Sequence, residues 1–180
     1  KGMFLIGFHI RMGTSGGTFK DTHIFLHPHD VYRYANKAEA FMEEHHLNIN
    51  NTRWLISTDA DKAETMLREK YGDLIVTSNE YHRGHSKTGA RDADGFSRAV
   101  IDMLILAQCD YLILTSHSTY SVMARTMRKA GSDFVMMTSR GYNWICLFDS
   151  LFRTVPLSRS NKFIKQSHKH ISQVLTQKNP

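Results

Sequence analysis

Cysteine is scarce in this chain of 180 residues: there are two, Cys109 and Cys146. Two thiols are too few for a disulfide framework, which excludes the small secreted scaffolds held together by staples. Each sits beside apolar residues, Leu106 and Ala107 for one, Trp144 and Ile145 for the other. Two buried thiols are therefore expected, with one disulfide left open. No apolar run is long enough to span a membrane, and no secretory leader opens the chain. The chain begins at Lys1 and enters an apolar strand almost at once, which reads as a piece of a longer protein. Internal repeats are lacking, as is any linker that would divide the chain in two. Walker A and G-x-G-x-x-G sequences are missing too, so neither phosphate-binding mechanism is borrowed.

The composition that remains is globular, at 41% hydrophobic and 22% charged. The length suits one domain, or one domain with an appendage. A formal charge of +6 favours anionic ligands. Part of that excess lies in residues 158–180, where Arg159, Lys162, Lys165, Lys169 and Lys178 occur without an acid. That tail reads either as a solvated basic segment or as a docking surface for an acidic partner. No nucleic-acid partner is expected.

Strands and helices alternate along the chain. Strands are expected over residues 3–10, 54–57, 74–77, 111–114 and 134–137. Helices are expected over residues 30–46 and 61–71, from Asp94, and from Thr119 to near Gly131, with Gly72 as a stop signal. This alternation argues for an α/β fold: a Rossmann-like parallel sheet with helices on both faces, over residues 1–140. Residues 141–180 are expected to be a C-terminal extension, with Phe163, Ile164, Ile171, Val174 and Leu175 spaced for an amphipathic helix.

Ligands of open α/β sheets bind beyond the carboxyl ends of the strands, where helix N-termini favour phosphate. Three places qualify. After the first strand comes His9-Ile10-Arg11-Met12-Gly13, then Thr14-Ser15-Gly16-Gly17-Thr18. An arginine there can fork onto phosphate oxygens, while the glycine-rich part reads equally as a flexible turn. After the second strand, Ser57-Thr58-Asp59-Ala60-Asp61 offers carboxylates for ribose hydroxyls or a base N–H; Asp59 or Asp61 reads equally as a helix cap. The third is the hydroxyl-rich elbow Thr115-Ser116-His117-Ser118-Thr119, with Asp102 upstream. Asp102, among Val100, Ile101 and Met103, needs a partner, either Arg11 at a site or another base in a structural pair. His27-x-His29, His82-x-x-His85 and His168-x-His170 have metal-like spacing, but no Cys or carboxylate completes a set, and no metal is expected.

Taken in order, these residues carry a family resemblance. His9-Ile10-Arg11 looks like the opening H-x-R motif of the α1,6-fucosyltransferases, which include core-fucosylating and rhizobial nodulation enzymes. Leu26-His27-Pro28 looks like their "HP" turn, and residues 56–61 resemble their "ATDDP" segment. Residues 100–118 match "ILD…FLSQADFLVCT…S" without a gap. The resemblance covers roughly residues 3–130 and extends more loosely to α1,2- and protein O-fucosyltransferases.

That resemblance implies the C-terminal, donor-binding half of a GT-B glycosyltransferase, with the N-terminal half absent from this chain. It implies a GDP-fucose donor, a glycan acceptor, inversion at the anomeric carbon and no metal or other cofactor. It implies that Arg11 meets the diphosphate with His9 beside it, and that Asp59 and Asp61 lie at the nucleoside. It puts Asp102 at the guanine end or in support of Arg11, and Ser116, Ser118 and Thr119 at phosphate. The family motif runs H-x-R-R-x-D; here Met12 replaces the second arginine and Thr14 the acid. The family's base falls between this motif and the "HP" turn, where Asp21 is the one acid. So either Asp21 is the base for a different acceptor, or this is a donor-binding fold with weakened catalysis. A lectin-like or assembly module, or an unrelated nucleotide-binding regulator, remains open. Asn50-Asn51-Thr52 is an N-glycosylation sequon. The resemblance implies the Golgi or endoplasmic-reticulum lumen for a eukaryotic source and the cytoplasm for a bacterial one.

Overall fold

The computed structural model describes residues 2–13, 24–78, 93–128 and 131–139. Five strands form one sheet: β1 (Phe4–Ile10), β2 (Thr52–Thr58), β3 (Ile75–Val76), β4 (Tyr111–Thr115) and β5 (Phe134–Met137). Their order is β3-β2-β1-β4-β5, and every pairing is parallel. The chain winds outward from β1 through β2 to β3, then crosses to the other side of β1 and continues through β4 to β5. The central strand, FLIGFHI, is an unbroken apolar run up to His9, as expected of a parallel strand covered on both faces.

Among the described residues the α-helices are α1 (Val31–Glu44), α2 (Asp61–Tyr71), α3 (Ala93–Gln108) and α4 (Thr119–Thr126). The pleat sorts the core into two layers. Ile6, Phe8, Ile10, Trp54, Ile56 and Ile113 pack against Val31, Tyr34, Ala38 and Met42 of α1 and Ala63 and Leu67 of α2. Leu55, Leu112 and Leu114 face the other way, onto Leu106 of α3 and Ala124 of α4. The helices therefore change face where the chain reverses its winding, as right-handed crossovers require. The α/β architecture expected from the sequence is the one observed.

Close packing sets one position in β1. A Cβ on Gly7 would lie 2.7 Å from Leu112 Cδ2, 2.8 Å from Leu106 Cδ2 and 2.9 Å from Cys109 Sγ. Cys109 is a free, buried thiol, pushed up to about 12 by burial, which outweighs the nearby Arg128. Its expected companion, Cys146, lies outside the described residues, as does the C-terminal extension, residues 141–180.

Helix stops follow local chemistry. Gly72, at φ +50°, ends α2. Helix α4 ends at Thr126, earlier than its spacing suggests. The Thr126 hydroxyl donates back to Val122 O (2.7 Å), and the Arg128 N–H reaches Arg125 O in a tighter turn. The Arg128 guanidinium then donates to the carbonyls of Cys109, Asp110 and Asp133, fastening the chain between β4 and β5.

Candidate functional site

The winding reverses between β1 and β4, and open α/β sheets bind ligands in the crevice beyond the carboxyl ends of the strands at such a point. Arg11 is the first residue past β1 and lies at that crevice. Its backbone N–H donates to Thr115 Oγ1 at the end of β4 (2.9 Å). Its Nε lies 3.4 Å from Asp59 Oδ2, just past β2, and its guanidinium sits 5.6 Å from the centre of the Phe25 ring. The Arg11 side chain is 22% exposed while Asp59 is 5% exposed. The cation is thus held from below and still reachable from solvent.

Asp59 braces the turn. Its Oδ1 accepts the Met12 N–H (2.8 Å) and its Oδ2 the Gly13 N–H (3.0 Å). Those bonds put the carboxylate against the β1 loop and not on the end of α2, whose N-cap is Ala60, with no side-chain cap bond. Of the two capping alternatives, Asp59 does not serve, and Asp61 stands in the first turn of α2 where its charge suits the helix dipole. The β1 loop returns through an antiparallel bridge between Gly13 and Ile24, and the Phe25 N–H donates to Met12 O (3.3 Å). Met12 itself is fully buried in the α1/α2 layer. The position that carries a second arginine in the resembled family contributes packing here, not charge.

His9, the last but one residue of β1, is buried between the sheet and α4. Its Nδ1 is 2.6 Å from Ser121 Oγ and its ring stacks on Tyr120 at 4.5 Å. Burial, aided by the Arg11 charge, lowers its pKa to about 3, so the imidazole is neutral. A ring this enclosed orients its neighbours; its place beside Arg11 comes through the backbone. The Tyr120 hydroxyl donates to Ala99 O (2.7 Å), and burial raises its pKa well above the usual range.

At the β4–α4 elbow the hydroxyls divide. The Ser116 N–H completes the sheet by donating to Met137 O (2.8 Å), and its side chain is half-buried. His117 turns the chain with φ +61°, a conformation uncommon for a residue with a Cβ. Ser118 is the N-cap of α4 without a side-chain cap bond, and Thr119 is exposed in the first turn. The first N–H groups of an α-helix lack intrahelical partners, so the elbow presents donors toward anionic atoms.

Of the two partners open to Asp102, the one present is a base on its own helix. Asp102 pairs with Arg98 one turn earlier (3.8 Å) and accepts from the Ser78 hydroxyl beyond β3, while Arg11 takes Asp59. The separation reflects the sheet: Asp102 projects from α3 on one face, whereas Arg11 and Asp59 close the strand ends. Asp102 therefore does not support the arginine directly.

Two groups were not singled out by sequence. Thr115 figured as one hydroxyl among several, yet it is the junction on which Arg11 rests; its signal was a polar residue closing an apolar strand. Asp30, read as a helix start, is fully buried. It accepts from the His27 N–H (3.1 Å), the Arg33 guanidinium (2.9 Å) and the Ser139 hydroxyl (2.9 Å). Burial alone would raise Asp30, but the His27, Arg33 and Ser139 bonds hold its carboxyl below the ordinary value. Arg33 also donates to Thr138 O, so this cluster ties α1 to the segment after β5. No signal in the sequence pairs residues so far apart.

Asp21, Thr14, His82, His85, His168 and His170 lie outside the described residues. Among the described residues, no three His, Cys, Asp or Glu side chains gather as a metal set. Also among them, no helix is long and apolar enough to cross a membrane.

No family model matches the chain, and no curated protein matches it. Solved structures do. The chain is similar to a NodZ α-1,6-fucosyltransferase co-crystallized with GDP, at 19% identity and a TM-score of 0.44. It is similar at the same values to fucosyltransferase NodZ from Bradyrhizobium, and with a TM-score of 0.43 to NodZ soaked with GDP-fucose. Each match covers 71% of this chain, and the chain spans 36% of the first two and 37% of the third, little more than a third of their length.

Proposed function

We propose that this chain is the donor-binding part of a fucosyltransferase, holding the diphosphate of GDP-fucose at Arg11. The observation that carries the reading is the placement of Arg11 at the β1/β4 crevice, fixed by Thr115 and Asp59 with its side chain partly open. The sequence resemblance supplies GDP-fucose as the ligand; the crevice supplies the physical reason that a diphosphate fits.

In this reading the Arg11 guanidinium makes charge-assisted bonds to the diphosphate and the α4 elbow, through Ser116, Ser118 and Thr119, meets the same group. Negative charge grows on GDP as the sugar–phosphate bond breaks, and a guanidinium already in place stabilises it without reorganising. Asp59 acts through Arg11 as a positioning residue. Asp61 and Asp102 lie on the nucleoside side, with Asp102 at the guanine end. Asp21 is the proposed base for the acceptor hydroxyl of a glycan, with inversion, an α1,6 linkage and no covalent intermediate or metal. The proposed compartment is the Golgi or endoplasmic-reticulum lumen if the source is eukaryotic, and the cytoplasm if bacterial. The basic residues of 158–180 are proposed to meet an acidic partner.

A second reading is favoured by one observation, the burial of Met12 where the resembled motif has arginine. It is a donor-binding module with weakened transfer. Calorimetric titration with GDP, ADP and UDP tests the donor site. Selective GDP binding that weakens about ten- to hundredfold in Arg11→Ala, in line with roughly 1.5–3 kcal/mol for charged hydrogen bonds, supports it. Equal affinity for all three nucleotides, or no change in Arg11→Ala, sinks it. Fucose transfer measured on the same protein then separates the two readings.

A further inference from the structure

Asn50-Asn51-Thr52 is the one Asn-x-Ser/Thr sequence in the chain, and the donor site makes no use of it. Asn50 and Asn51 lie in the turn between α1 and β2, and Thr52 opens β2. Within that turn the Asn48 carboxamide accepts the Asn50 and Asn51 N–H groups (3.0 and 3.3 Å), and the Asn51 carboxamide accepts the Asn48 N–H (3.2 Å). Asn48 and Asn51 thus build the turn with their side chains. Asn50 is exposed, and its carboxamide takes no part in those bonds.

Position matters as much as exposure. Thr52 pairs with Phe4 at the amino ends of β1 and β2, and the Phe4 N–H donates to Asn51 O (2.8 Å). The candidate site lies at the opposite ends of the same strands. Seven residues of β2 separate the two by roughly 20 Å. A bulky, hydrated group on Asn50 would leave the crevice clear and the sheet edges unobstructed.

Thr52 adds a constraint on timing. It is fully buried, and its hydroxyl donates to Asn51 Oδ1 (3.2 Å). The sequon hydroxyl is therefore inaccessible once the sheet has formed, so any enzyme that reads it must act on the unfolded chain.

We propose that Asn50 is an N-glycan acceptor, modified before folding by transfer from a lipid-pyrophosphate-linked oligosaccharide. The Asn50 Nδ2 bonds to the anomeric carbon while the carbon–oxygen bond to pyrophosphate breaks. The electron pair leaves with the lipid pyrophosphate and the amide proton passes to a base of the transferring enzyme. The proposal rests on the luminal compartment proposed above, and not on the donor site.

The test is expression of this chain behind a secretion leader in eukaryotic cells. One discrete mobility step, removed by an N-glycosidase and mapped by peptide mass to Asn50, is the expected result. Asn50→Gln loses the step while keeping the wild-type affinity for GDP, and Thr52→Ser keeps it. Refolded, unmodified chain offered to the same transferase stays unmodified. A secreted chain whose Asn50 peptide is bare overturns the proposal whatever its affinity for GDP. A glycosylated chain that ignores GDP overturns the donor reading and leaves this one standing.

Discussion

The backbone N–H of Arg11 donates to the hydroxyl of Thr115, 2.9 Å away across 104 residues of chain. That hydroxyl sends its own proton to His9 O (2.8 Å) and lies 2.7 Å from the Tyr34 hydroxyl. A threonine hydroxyl has one proton and two lone pairs. Its proton is committed to His9, so Tyr34 must be the donor, and the junction is fully satisfied. The loop that bears the candidate anion-binding cation is in this way bolted to β4 and to α1.

Thr115→Val keeps the shape and removes all three bonds. The Arg11 N–H, the His9 carbonyl and the Tyr34 hydroxyl are left in a buried site, each worth about 1–3 kcal/mol when unmatched. Urea titration is expected to show a loss of at least one such increment, with GDP affinity falling as well. Thr115→Ser is expected to restore most of both. Unchanged stability in the valine variant would mean that water replaces the hydroxyl.

Asp59 holds the turn without needing to touch a ligand. Asp59→Ala abandons the Met12 and Gly13 N–H groups and the Arg11 guanidinium together. A stability loss of about 1–3 kcal/mol is expected, accompanied by weaker GDP binding. Asp59→Asn, which retains one oxygen acceptor, is expected to fall between wild type and alanine in both measurements. An alanine variant that binds GDP as tightly as wild type would show that Arg11 needs no brace.

Acid is expected to weaken the fold through two groups, the first acting from a higher pH than the second. His9 is neutral in the native state with its pKa at about 3, against 6.5 unfolded. The unfolded chain therefore binds the extra proton first, and stability falls as the pH drops from 6.5 towards 3, then levels. Asp30 has a lowered carboxyl. Its contribution is present above the ordinary carboxylate range and is lost as the pH falls below 3.8. Urea midpoints measured from pH 7 to pH 4 in wild type and His9→Gln isolate the His9 contribution, because Asp30 is common to both. A wild-type slope no steeper than that of the variant would contradict a buried neutral imidazole.

Gly7→Ala tests the packing between β1 and the α3 side of the sheet. Its new methyl meets two leucine methyls and the Cys109 sulfur at under 3 Å. Overpacking of this kind costs about 1–3 kcal/mol. A drop in thermal midpoint is expected, and Cys109→Ala in the same chain should recover part of it by opening space at the sulfur.

The order of strands and helices was legible in the sequence because it depends on local periodicity. FLIGFHI and YLILT are continuous apolar runs, α1 carries Val31, Tyr34, Ala35, Ala38 and Met42 at helical spacing, and Gly72 marks a stop. These features place Arg11, Asp59 and the α4 elbow at strand ends from the sequence alone. Which charges meet there was decided only by tertiary structure. Arg11 and Asp59 are neighbours because β1 and β2 run parallel in a register that aligns Ile10 with Thr58, and Asp102 is drawn to Arg98 by helical spacing on α3. Thr115, Tyr34 and the Asp30 cluster depend on contacts between residues 81 to 109 positions apart. Local propensity carries no information over such distances. Burial does, since a polar group enclosed by a sheet and its helices must find its partner wherever the fold has brought one.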